Sequence, residues 1–212
     1  GKALMERLAS EGANSPADVF ITVDAGNLWK VQKEGMFQSI NSSMVDNTVP
    51  ANLRGPNNEW VGIAKRSRVI YYNPLNVSEA EMAGLTYEDL SDSKWKGRIA
   101  IRSSGNMYNQ SLVSSLIANH GEATIEAWAK DFVGNFARKP EGNDRAQIMA
   151  VANGEADIAI ANSYYIGLML SGKKGEEQQA AARKVQLHFP GQDGRGAHIN
   201  LSGDGLMKNA PN

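Results

Sequence analysis

The chain has no cysteine among its 212 residues, which excludes disulfide frameworks, thiolate metal centres and cysteine nucleophiles together. The compartment stays open, since a cysteine-free chain tolerates oxidising and reducing surroundings alike. Histidine is almost as scarce. His120, His188 and His198 stand far apart, none at the spacing that sets two imidazoles on one helix face around a metal, and all three are read as structural or exposed. An excess of one charge is also lacking: 22 basic against 23 acidic side chains leave a net charge of -1. Such a balance offers no broad positive field for phosphate backbones, so nucleic acid is not expected as a partner.

No apolar run approaches the roughly 20 residues that span a bilayer, so direct membrane insertion is not expected. The opening GKALMERLASEGANS lacks the basic-then-apolar layout of a signal peptide. P-loops, nucleophile elbows and paired-carboxylate motifs are absent, which argues against an enzyme. The GQDGRG run at 191–196 follows Pro190 instead of opening a helix, and is read as a loop. No internal repeat marks a solenoid.

What the sequence does contain is an alternation of strands and helices, the pattern of an α/β fold. Val19 to Val23 is a short β-branched run consistent with a buried strand, Asp24 caps a helix carrying Leu28, Trp29 and Val31, and Gly35 stops it. The turn-rich stretch 52–59 precedes two extended segments, 60–64 and 68–72, and marks a change of lobe. Trp60 stands either at a hinge or in the core. Helical patterns run from Asn109, from Glu122, from a cap at Asn143-Asp144, from Ser163 and over 176–184; strands are expected at 99–101, 157–161, 185–189 and 196–202.

Tyrosine placement is the unusual feature. Tyr164 and Tyr165 follow the strand at 157–161, and Tyr108 follows the strand at 99–101 across a short loop. Side chains just beyond the carboxyl ends of strands are where α/β sheets hold ligands. Phenolate is a hard anionic donor suited to a small, highly charged cation, with ferric ion fitting best. The competing reading is a packed or interfacial aromatic pair. Tyr71-Tyr72, inside a strand, is read that way, one ring in the core and one at the surface.

The blocks ADVFITVDAG (17–26), RSRVIYYN (66–73), RSSGNMYNQSL (102–112) and NDRAQIMAVANGEADIAIANSYYIG (143–167) resemble the ferric-iron-binding proteins of bacterial ABC importers, in their tyrosine-rich, cyanobacterial-type branch. The resemblance covers essentially the whole chain. It implies a two-lobed periplasmic-binding-protein fold of type II with hinge strands between the lobes. Lobe 1 would hold 1–58 with 198–212 returning to it, and lobe 2 would hold 59–197 and most of the metal ligands.

It further implies that Tyr108, Tyr164 and Tyr165 bind Fe3+, the transported ligand, and that the family's first strand, which bears a further tyrosine, and its C-terminal helices lie outside this sequence. Periplasmic or membrane-associated extracytoplasmic placement, a monomeric carrier, and an ABC permease with its ATPase as partners follow from the same resemblance. Phenolates around a metal favour a nearby cation: Arg68 first, then Arg66 and Arg102, with a solvated arginine face as the alternative for Arg68. Some relatives recruit carbonate, and 102–104 offers a place for an anion. Asp24 is a helix cap that, by the resemblance, faces the cleft. The rival readings are a binding protein for another small anion or polyamine, and an enzyme or effector domain on the same fold.

Overall fold

The computed structural model describes residues 2–212. In chain order the elements are α1 (Lys2–Glu11), β1 (Val19–Val23), α2 (Ala25–Lys33), β2 (Phe37–Gln38), α3 (Ser43–Thr48), β3 (Val61–Tyr72), α4 (Glu79–Met82), β4 (Ile99–Ala100), α5 (Met107–His120) and α6 (Glu122–Gly134). They continue with α7 (Asp144–Ala152), β5 (Ile158–Asn162), α8 (Tyr164–Leu170), α9 (Glu176–Ala182), β6 (Gln186–His188) and β7 (Ile199–Met207). The chain divides into two compact units, one running up to Lys65 and resuming over Asn200–Asn212, the other Arg66–Ile199.

The divisions fall inside β3 and at the start of β7, later than the turn-rich stretch where the sequence suggested a change of lobe. The two extended segments expected at 60–64 and 68–72 are a single strand of 12 residues. Its middle is held by partners distant in sequence: Ser67 donates its N–H to Ser163 Oγ, and Arg68 donates its N–H to the His198 carbonyl. Local polarity at Lys65 and Arg66 therefore does not break it.

In the first unit β1 runs antiparallel to β7, with Val19 opposite Leu206 and Val23 opposite Ser202, and β2 also pairs with β7. The strand is buried on one face only, not throughout as its β-branched run suggests: alternation along β1 turns Phe20 inward with Leu8, Leu28, Val31, Phe37, Leu201 and Met207 and leaves Val19, Ile21 and Val23 exposed. Trp60 belongs to this core and donates its indole N–H to Gln32 Oε1 at 2.9 Å, which favours the core reading over a hinge marker. Gly203 is required by close approach. A methyl group there would lie 2.5 Å from the Val61 carbonyl oxygen and 2.7 Å from Leu28 Cδ1.

In the second unit β5 is central, parallel to β4 and antiparallel to β3, with β6 on the far side of β3. All five β5 residues are buried, because helices cover both faces, the usual setting of strands with parallel neighbours. Ile158 and Ile160 pack with Leu112 and Leu116 of α5 and Ile125, Trp128 and Phe132 of α6. Ala159 and Ala161 face α7, α8 and α9 through Ile148, Val151, Met169 and Ala181.

The two-layer burial corrects the expectation for Tyr71 and Tyr72. Both rings are buried, Tyr72 in the first cluster and Tyr71 in the second, since β3 also lies between helical layers.

Candidate metal centre

Strand β5 ends at Asn162, and after Ser163 α8 begins with Tyr164 and Tyr165. Strand β4 leads into the loop 101–106, where Asn106 caps α5 by accepting the Tyr108 N–H at 3.0 Å. Tyr108 thus stands in the first turn of α5, slightly earlier than the helix start read from the sequence. The two neighbouring strand ends bring the three phenols together. Tyr164 and Tyr165 have ring centroids 4.3 Å apart, and the Tyr108 phenol shares a hydrogen bond with that of Tyr164.

Burial pushes the Tyr108 phenol up to about 12, and the hydrogen bond with Tyr164 adds to the rise. Tyr164 is raised as well, first by burial and then by its bond to Tyr165. Both shifts favour the neutral phenols of Tyr108 and Tyr164 when no metal is bound.

Three guanidinium groups surround the Tyr108 ring, Arg66 at 5.4 Å, Arg102 at 5.6 Å and Arg68 at 5.8 Å from its centroid. Strand alternation puts Arg66 and Arg68 on one face, as the sequence indicates, yet both are buried, so the face is not solvated. Arg68 donates to Asp144 Oδ2 at 2.5 Å, Asn109 Oδ1 at 2.6 Å, and Asn162 Oδ1 and the Ile160 carbonyl at 3.3 Å each. Arg102 donates to Asp144 Oδ1 at 3.0 Å. The Nε atoms of Arg68 and Arg102 are buried with no hydrogen-bond partner among the described residues. Donors outnumber acceptors on this wall, which suits an anion or a phenolate.

Asp24 lies in the first unit. It is fully buried with φ of 77°, and its carboxylate accepts from the Gly26 N–H at 3.0 Å and from Asn200 Nδ2 at 2.8 Å. These bonds account for a helix cap. His120 contacts Glu88 and His188 contacts the Leu85 carbonyl. Among the described residues no group of three or more His, Asp or Glu side chains is placed to hold a metal ion, and no helix is long and apolar enough to cross a membrane.

Sequence reasoning missed Asp144, Asn109 and Asn162. Asn143-Asp144 reads as a helix start and is one, with Asn143 as cap. Nothing local shows that the next carboxylate turns inward onto two arginines.

The model of a family described as bacterial extracellular solute-binding protein matches residues 14–190. The chain is 53% identical, over its whole length, to Iron uptake protein A1 of Synechocystis sp., and 31% identical over 96% of its length to the Fe(3+)-binding periplasmic protein of Serratia marcescens. It spans 59% and 57% of the length of those relatives. A solved structure of the Trichodesmium protein called IdiA or FutA, in complex with iron and citrate ligands, superposes with a TM-score of 0.94 at 58% identity, covering all of this chain and 66% of that one.

Proposed function

Because this chain belongs to the bacterial extracellular solute-binding protein family, we propose that it captures ferric iron through the phenolates of Tyr108, Tyr164 and Tyr165 and hands it to a membrane importer. The observation that carries this reading is the convergence of three phenols, from the ends of β4 and β5, against a wall of three arginines. Three phenolates match the charge of Fe3+, and hard oxygen donors suit it. Three guanidinium groups less the Asp144 carboxylate leave positive charge for a co-bound anion, carbonate or a carboxylate ligand of the metal. Relatives named for iron uptake and ferric binding support the choice of cargo.

The fold is that of solved ferric-binding proteins. The family places the work outside the cytoplasm, and we assign the periplasmic face, a monomeric carrier, and an ABC permease with its ATPase as recipients. We read the protein as a carrier and not a catalyst: the phenol trio supplies ligands, and the relatives' names describe uptake and binding.

Adding ferric citrate to the apoprotein is expected to produce the visible absorption of phenolate-to-iron charge transfer. Tyr164→Phe combined with Tyr165→Phe is expected to abolish it. A wild-type protein that stays colourless overturns the assignment, and calorimetry with metal-free anions and polyamines then identifies the cargo.

A further inference from the structure

Asp144 is fully buried at the first position of α7, and its two oxygens meet three elements. Oδ1 accepts from Arg102 in the loop after β4; Oδ2 accepts from Arg68 of β3 and, at 2.8 Å, from the Asn162 N–H at the end of β5. Arg68 extends the network to Asn109 Oδ1, and Asn109 Nδ2 donates to the Arg102 carbonyl at 2.8 Å and the Ser103 carbonyl at 3.2 Å. Asn109 is next to Tyr108 in the chain, and Asn162 precedes Tyr164 by two residues. One carboxylate therefore ties together the two backbone segments on which the phenols stand.

We propose that Asp144 is a positioning residue of the iron site: it sets the spacing of Tyr108 from Tyr164 and Tyr165 and holds Arg68 and Arg102 against the Tyr108 ring. The proposal rests on the iron-binding reading and adds to it a residue that would not touch the metal. Two physical features favour positioning over mere core filling. The carboxylate accepts from three donors that all lead to the site, and it compensates one of three guanidinium charges while leaving the remainder facing the phenols. Groups that orient ligands in this way commonly cost 10–100-fold in metal affinity, to order of magnitude, when removed.

The test is Asp144→Asn, which keeps the shape and one acceptor oxygen but removes the charge. The expected result is a folded protein with iron affinity lower by about 10–100-fold, and a shifted phenolate-to-iron absorption maximum. A carboxylate that only supported the fold would leave that maximum unmoved. In the metal-free protein, nitrogen-15 spectra of the arginine side chains are expected to show slow-exchanging Arg102 signals in wild type, from its bond to Asp144, and to lose them in Asp144→Asn.

Arg102→Gln is the second variant, read in the same assays. If Asp144 acts through Arg102, the double variant loses less affinity than the product of the two single losses. Should Asp144→Asn fail to fold, Arg102→Gln alone decides, with a shifted maximum and weaker binding expected. Wild-type affinity and an unmoved maximum in a folded Asp144→Asn, or in Arg102→Gln when that variant decides, overturn the proposal while leaving the iron reading intact. Failure of the wild type to bind iron overturns the iron reading itself.

Discussion

Under the proposed phenolate ligation, iron and protons compete for the same oxygens, and the structure sets how steeply affinity follows pH. Each ligating phenol loses its proton on binding, so the apparent association constant falls about tenfold per pH unit for each phenol. Three phenols give about a thousandfold per unit. Burial holds Tyr108 and Tyr164 above the ordinary phenol range, so both are fully protonated in the metal-free protein throughout the neutral range. The slope of log affinity against pH is therefore expected to stay constant, near three, between about pH 6 and 8.

Tyr108→Phe is expected to lower the slope by one and to weaken binding at every pH. The assay is competition against a chelator of known proton linkage, followed through the phenolate-to-iron absorption. A slope unchanged in Tyr108→Phe removes that residue from the ligand set. A wild-type slope near zero refutes phenolate ligation altogether, and a slope that flattens within the window means that a phenol is already ionised, contrary to the burial argument.

Arg68→Met leaves the Asp144 carboxylate buried with one guanidinium partner in place of two. A loss of about 3–5 kcal/mol is expected in urea unfolding, partly restored by adding Asp144→Leu; a loss below about 1 kcal/mol would mean that water reaches the pair. Gly203→Ala forces a methyl group into the Val61 carbonyl, and thermal unfolding is expected to show about 1–3 kcal/mol lost. Tyr71 and Tyr87 are raised above the ordinary phenol value chiefly by burial. Above about pH 10 the unfolded chain gives up these protons first. Stability is thus expected to be full below that pH and to fall as pH rises past it, and alkaline unfolding curves that stay flat past the ordinary phenol value would contradict this.

Much of the site is legible locally. The strand at 157–161 followed by two tyrosines, and the strand at 99–101 followed by Tyr108, are patterns of residue type along the chain, and strand ends are where such patterns place ligands. Alternation likewise sets Arg66 and Arg68 on one face of β3. The family blocks then narrow hard oxygen donors to ferric iron.

The tertiary structure decided what depends on partners far along the chain. Tyr71 and Tyr72 look like an inward and an outward ring until helices on both sides of β3 bury both. Trp60 is a core residue because Gln32 and the β7 side chains meet it. Asp144 reads as an ordinary first-turn acid, yet its partner Arg68 lies 76 residues away. Residue type and spacing report a side chain's chemistry and the face it occupies. Whether a charge is solvated, or buried against another charge, depends on which segments pack beside it, and only the folded chain brings β3, the β4 loop and α7 to one carboxylate.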